Sequence, residues 1–519
     1  MRTLCWNVLA VVACTACYAN RDEPAADTQP PGASDATPPD AAPPSHPEPP
    51  TTTAMCSSYQ RHVNARAHWG AGQPDEPVVT VPGGMQPELS AGPILGALTD
   101  SGVKLWLRTD REAAFRVRVW PKDQGNAPPD IEGPQLLAAG DFSGSVEITG
   151  LAPAQHYGYA VLLRPIGGGE DSAMEAASGE FHTLPADHEP ARTRVVVGAD
   201  ITGTGTQPIF QQIRAVDPDF LLFIGDQMYA DEVESTREAF SGLYRRNWNI
   251  KFLHELMANV PAFMIWDDHE IQDNYWLGKS ERYQPAREAY DTYVQEHNPR
   301  PFRTDALYYT FRAGDVAFFV LDLRSSRSPN TAPDDANKSM LGAAQKRDLL
   351  AWLSCEPATL KVIVSSVLLS DWSMTGQDAW VSFSTEREEL FQYIAKRAVG
   401  DVLLLSGDQH WSGLFRYQRA GYRFYEFEPT PLSKSRGTAP SQKTDEILAR
   451  DDDNFVFGVV DIDTTVQPYT VDLTLCALDK PCQPGAEPEP KTGLDVEGAQ
   501  ENVPYTVHLS ARDIGLPKE

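Results

Sequence analysis

The chain has 519 residues, too many for one hydrophobic core at about 150 residues per domain, so several folding units are expected. Lys plus Arg total 44 against 72 Asp plus Glu, a formal net charge of −28, which excludes a broad electrostatic grip on nucleic acid or an anionic membrane surface. Apolar residues make up 41%, enough to bury cores, and no run reaches the roughly 20 continuous apolar residues of a membrane span.

Residues 1–19 read as an export signal, with Arg2 ahead of a short apolar segment. The segment ends in Val11-Val12-Ala13-Cys14, which resembles a bacterial lipobox whose cysteine is acylated; ordinary cleavage near Ala19 is the alternative. Either outcome places the protein outside the cytoplasm, in the cell envelope or secreted. Residues 20–60 form a tether, because ten of the thirty residues from Arg21 to Pro50 are Pro and too little apolar surface exists to offset the entropy of ordering them. Among seven cysteines, Cys476 and Cys482 enclose a short loop that suits a disulfide in an oxidising compartment.

Over 88–186, alternating segments such as Val103–Arg108, Phe115–Trp120 and Tyr157–Val161 are separated by Gly, Pro and Asp turns, and the period of two predicts a small antiparallel β-sandwich. Leu151–Tyr157 resembles the corner before a late strand of fibronectin type III domains. From 192 to 519 apolar runs alternate with helical stretches, Arg237–Met257, Arg282–Glu296 and Gln345–Leu353, which predicts a layered α/β domain.

Four apolar strands of that second unit each end on a carboxylate: Val195–Val197 before Asp200, Phe220–Ile224 before Asp226, Phe263–Ile265 before Asp267 and Asp268, and Leu403–Leu405 before Asp408. One such Asp is ordinarily a turn or cap residue. Four of them, beyond the carboxyl ends of strands where α/β folds collect ligands, form a cluster of hard oxygen donors whose mutual repulsion calls for cations. Gly225-Asp226-Gln-Met-Tyr229 adds a phenol, which becomes a useful ligand only beside a strong Lewis acid such as ferric iron. His410 lies two residues beyond Asp408. Between Trp266 and Asn274 stand four acids, His269 and Asn274, and Asp267 and Asn274 can share a centre only if this loop folds back rather than forming a helix. His269 is then a candidate general acid, or a residue that orients an Asp. Asp322 and Asp371 also end apolar runs and are expected to be turn or supporting residues.

Gly-Asp-x-x-Tyr, Trp-Asp-Asp-His-Glu with Asn274 four residues after its Glu, and Ser-Gly-Asp-x-His, in this order, resemble the PhoD-type alkaline phosphatases of the metallophosphoesterase superfamily, with similarity over about 89–475. The resemblance implies a double β-sheet sandwich flanked by helices, preceded by a small fibronectin III-like sandwich. It also implies a ferric iron with one or more calcium ions, and hydrolysis of phosphate mono- or diesters by a metal-activated hydroxide. Carried over by position, the ligands are Asp226, Tyr229, Asp267, Asn274, Asp408 and His410. Asp200 stands where the family often has Cys, so an oxygen donor replaces a thiolate. Arg287 and Arg324 are candidates for gripping a phosphate oxygen, with a structural salt bridge as the alternative for each. A monomer acting on a phosphate-ester substrate is expected. A purple-acid-type enzyme would show Asp-x-His on the first strand and paired His residues late, where Thr202 and Asp408 stand here. The competing reading from another class is a surface-tethered binding lipoprotein with a structural or degenerate metal site.

Overall fold

The computed structural model describes residues 53, 55–60, 85–123, 127–373, 378–398, 400–440, 445–480, 482 and 505–516. The export signal, its Cys14 and most of the tether lie outside the described residues, as does part of the loop between Asp371 and Ser384. Among the described residues no helix is long and apolar enough to cross a membrane.

Two large sheets face one another. One has nine strands in the order Tyr505–Ser510, Thr470–Ala477, Val456–Asp463, Arg192–Gly198, Phe220–Ile224, Ala262–Ile265, Leu89–Gly96, Gly102–Thr109 and Ser143–Thr149. The other has seven, in the order Tyr309–Ala313, Val316–Val320, Leu360–Val364, Asp401–Leu405, Tyr422–Glu428, Ser412–Arg419 and Glu446–Asp451. The near-continuous apolar runs of the central strands follow from burial on both faces. In Val316–Val320, for example, Val316, Phe318 and Val320 join the core between the sheets, whereas Ala317 and Phe319 pack outward among residues of the helices Gly342–Cys355 and Ser384–Arg397. Between the sheets Phe311 stacks on Phe263 at 3.8 Å and meets Phe220 at 5.5 Å.

The short strands expected over 88–186 are present and divide between two sheets. Ala114–Pro121, His156–Arg164 and Met174–His182, with the short Ile131–Glu132, form a separate four-stranded sheet. Leu89–Gly96, Gly102–Thr109 and Ser143–Thr149 instead extend the nine-stranded sheet, through a parallel bridge from Gly96 to Ala262. That pairing occupies an edge that Ala262–Ile265 would otherwise expose. At the predicted corner, the Ala152 amide donates to the Tyr157 hydroxyl at 2.9 Å, which fixes the entry to His156–Arg164.

Two helical segments are shorter than their sequence patterns suggest. Arg237–Met257 breaks at Asn249-Ile250 into Arg237–Trp248 and Lys251–Met257, and Arg282–Glu296 is an α-helix only over Tyr283–Tyr290 before a π-helical turn at Asp291–Gln295. Cys476 and Cys482 are bridged, and a second disulfide, Cys56–Cys355, joins the α-helical residues 55–60 to the end of the helix Gly342–Cys355.

Candidate metal centre

Arg192–Gly198, Phe220–Ile224 and Ala262–Ile265 are adjacent parallel strands, so Asp200, Asp226 and the Asp267-Asp268 pair leave the same edge of one sheet. Asp408 follows Asp401–Leu405 of the facing sheet. Asp200, Asp226, Asn274, Asp408 and His410 all adopt positive φ, between 52° and 85°, which swings each out of its strand or loop direction. Such conformations cost about 1–3 kcal/mol each and persist only where surrounding contacts hold them. Gly225 makes the convergence sterically possible: a Cβ there would lie 2.7 Å from Cβ of Asp267.

Three groups of side chains bring their ligand atoms within 4.8 Å of one another: Asp200, Asp226 and His410; Asp226, Asp268 and His269; and Asp267, Asp268 and Asp408. Asp226 is common to the first two groups and Asp268 to the last two. The Tyr229 hydroxyl lies 3.0 Å from His410 Nε2, which itself is 3.8 Å from Asp200 Oδ1. His269 packs against the Tyr229 ring at 4.4 Å, with Nδ1 2.6 Å from Asp231 and Nε2 3.9 Å from Asp226. Both carboxylate oxygens of Asp200 and of Asp226, and Oδ1 of Asp268, are buried with no hydrogen-bond partner. This is a costly arrangement for a protein alone and a natural one for oxygens that hold cations. The donor set therefore fits multivalent ions.

The loop from Trp266 to Asn274 folds back, as its spacing requires. Buried Glu270 holds it by accepting the backbone amides of Asp226 (3.2 Å), Gln227 (2.5 Å) and Asp267 (2.8 Å), which locks two strand tips together. Trp266 Nε1 donates to Asp322 Oδ1 at 3.0 Å, and the same oxygen accepts the amides of Arg324 and Ser325, so Asp322 is a turn residue. Asp371 pairs with Arg387 at 3.1 Å.

Two arginines occupy structural positions instead of the anion-gripping ones considered for them. Arg324 is fully buried; its Nε and Nη2 donate to the two oxygens of Asp267 at 2.6 Å each, and it also binds Asp378 at 2.9 Å. Arg287 pairs with Asp291 one turn along its helix at 2.8 Å. Arg324 and the Ser366 hydroxyl bind Asp267, whose ligand atom still lies with those of Asp268 and Asp408, while Asp268 Oδ1 has no hydrogen-bond partner and lies 3.7 Å from Arg324 Nη2. Asn274 reaches the cluster through its backbone amide, donated to Asp268 Oδ2, while its side-chain amide turns to Asp273 at 2.9 Å. Lys434, which the motifs did not flag, donates its backbone amide to the Asp200 carbonyl at 3.0 Å and places its ammonium 3.3 Å from the Tyr229 ring centre.

Electrostatics follow from burial and crowding. Desolvation raises the carboxyls of Asp200, Asp226 and Asp408, reinforced at Asp226 and Asp408 by neighbouring acids. Burial also pushes Glu270 up to about 8, although its three backbone donors oppose the shift. Against burial, the Arg324 guanidinium and His269 hold Asp268 below the usual carboxylate range. Burial opposes protonation of His269, but Asp226, Asp268 and the bond to Asp231 raise its imidazole to about 11. Burial and the adjacent carboxylates keep the Tyr229 phenol protonated, so a tyrosinate forms there only beside a multivalent cation.

The PhoD-like phosphatase family profile matches residues 194–473, which contain every side chain of this cluster. The chain belongs to that family. Residues 86–170 match a second profile, a domain of unknown function (DUF7800). Alkaline phosphatase D of Bacillus subtilis (strain 168) is 28% identical over 243 residues, 40% of this chain and 41% of the relative. Purple acid phosphatase 13 of Arabidopsis thaliana is 26% identical over 211 residues, 34% of this chain and 35% of the relative. The alignments thus span about two fifths or less of these curated relatives. The solved structure of PhoD superposes with a TM-score of 0.65 at 17% identity, covering 78% of this chain and 89% of that one. Purple acid phosphatase PPD1 from yellow lupin gives 0.56 at 14% identity, covering 76% and 72%. These two superpositions establish the metallophosphoesterase-like fold.

Proposed function

We propose that the protein hydrolyses phosphate esters, mono- or diesters, at cations gathered by the strand-tip carboxylates. The observation that carries this reading is the set of buried carboxylate oxygens on Asp200, Asp226 and Asp268 that no protein donor satisfies. Asp200, Asp226, Tyr229 and His410 would hold a ferric ion, and Asp226, Asp268 and Asp408, with Asp267 beside them, would supply the acidic oxygens for calcium. Asn274 and Asp267 support Asp268, the first through its amide and the second by engaging Arg324. Bound there, the ions would supply Lewis-acid activation of a water and neutralise charge on the phosphoryl group.

The chain's own groups supply orientation and protons. Asp231 fixes the His269 ring at Nδ1, leaving Nε2 turned toward the cluster, where it holds a proton for the departing oxygen. Arg324 acts as a positioning residue that orients Asp267 and lies 3.7 Å from Asp268 Oδ1. The catalytic unit spans 192–519 and the sandwich 88–186 supports it; export through residues 1–19, lipid attachment at Cys14 and a monomeric state complete the proposal.

The full chain loaded with iron and calcium is expected to cleave p-nitrophenyl phosphate or its bis-ester, to lose that activity on chelation and to recover it when metal returns. A folded, metal-replete sample that cleaves neither ester overturns the reading. An iron-loaded sample without a tyrosinate-to-iron absorption band overturns the role given to Tyr229.

A further inference from the structure

With Arg324 and Arg287 committed to carboxylates, the cluster needs another group to meet an anionic substrate. The segment Leu432–Lys434 is tied to the first strand tip: the Leu432 amide donates to Ala199 at 2.9 Å, and the Ser433 and Lys434 amides donate to the Asp200 carbonyl at 3.1 and 3.0 Å. The Ser433 hydroxyl accepts the Thr202 amide at 3.0 Å, so Lys434 springs from a backbone fixed to the site. Its side chain is half-buried and reaches Tyr229, whose ring also packs on His269 and whose hydroxyl meets His410. The ammonium has three donors, and among the described residues its only recorded side-chain contact is the aromatic face, which accepts no directed hydrogen bond.

We propose that Lys434 is the substrate-binding cation of this site, pairing with a phosphoryl oxygen held at the cluster. The inference rests on the hydrolase reading for its substrate and on the geometry for its residue. A phosphoryl group carries several anionic oxygens, so one held at cations on the carboxylates would have others left to accept from an ammonium beside Tyr229. Lys434 is also accessible, as the fully buried Arg324 is not. A flexible ammonium that can leave the ring for the ligand suits a point-charge contact with phosphate.

The test uses the full, metal-loaded chain, with inorganic phosphate as the probe, titrated calorimetrically and as an inhibitor of ester cleavage. Lys434→Met is expected to weaken phosphate binding and raise KM by about tenfold or more, as befits loss of a charged hydrogen bond, with metal content unchanged and kcat altered far less. Lys434→Arg is expected to restore most of the binding. Unchanged phosphate affinity and KM in metal-replete Lys434→Met overturn the assignment while leaving the hydrolase reading intact. Phosphate binding that depends on Lys434, in a wild-type protein that cleaves no ester, overturns the hydrolase reading alone. A metal-loaded wild type that binds no phosphate overturns both.

Discussion

Two regions of the molecule are crowded with ionisable side chains, and they are built in opposite ways. Beside the hairpin Ser412–Arg419 and Tyr422–Glu428, a cavity of about 670 Å³ is lined by Arg416, Arg419, Arg423, Asp445, Glu446 and their neighbours. Arg416 clasps Glu446 through two bonds of 2.7 Å and Arg419 reaches Asp445 at 2.6 Å, so the principal charges of this wall answer one another. At the strand tips, Asp200 and Asp226 are buried with their oxygens unanswered. The cavity belongs to a region whose charges are paired, whereas unsatisfied burial marks the second. The comparison teaches that a site for cations is marked by donors left without protein partners.

The largest contrast is expected from Asp226→Asn, which removes the carboxylate common to two groups. Ester cleavage should fall at least about 100-fold, beyond the 10–100-fold typical of groups that merely orient ligands, while thermal melting in chelator moves upward because a buried charge without a partner has been neutralised. A melting point that falls in chelator would break the comparison. Arg324→Met tests the opposite situation, a buried pair: leaving Asp267 without its guanidinium, while Arg327 still holds Asp378 at 2.7 Å, should cost about 3–5 kcal/mol in urea unfolding.

A smaller effect is expected at Lys361, a buried cation outside both regions, whose ammonium burial pulls down to about 8 from an unfolded value near 10.5. Between those values the unfolded chain binds more protons, so stability should climb as pH rises from about 8 to 10.5, by an amount on the order of 2–3 kcal/mol. Lys361→Met should abolish that climb, read from urea midpoints across the window. The smallest effect belongs to Glu446→Gln, which breaks a partly exposed pair. Stability should change by less than about 1 kcal/mol and ester cleavage not at all; a marked loss of activity would bring the hairpin cavity into the functional account.

The strand-tip acids were legible because each follows an apolar run, so four local patterns located four carboxylates before any contact was known. The choice between Asp267 and Asp268 was not. Two adjacent residues of one type carry no local mark of their roles, and the difference between them comes from Arg324 and Ser366, distant in the chain, which donate to Asp267 and leave Asp268 Oδ1 without a hydrogen bond. Glu270 was visible as an acid, but its use as an acceptor for three backbone amides depends on two turns meeting. Lys434 carries no motif signal, since its position follows from amide bonds to Asp200 made after a long excursion of chain. In the fold, period-two patterning located the strands over 88–186 yet could not say that three of them would join the sheet carrying the site, a union set by the Gly96–Ala262 bridge.

The Cys56–Cys355 bond spans 299 positions and encloses the strands from Leu89–Gly96 to Val316–Val320, together with Asp200, Asp226, Tyr229 and the Asp267-Asp268 pair, in one covalent ring. Tyr59, whose hydroxyl donates to Glu356 at 2.6 Å, adds a second fastening beside it. A mechanical load arriving along residues before Cys56 would therefore enter the body at the carboxyl end of the helix Gly342–Cys355. Whatever pulls on the amino-terminal end tugs at the second sheet's outer helix and bypasses the strand tips.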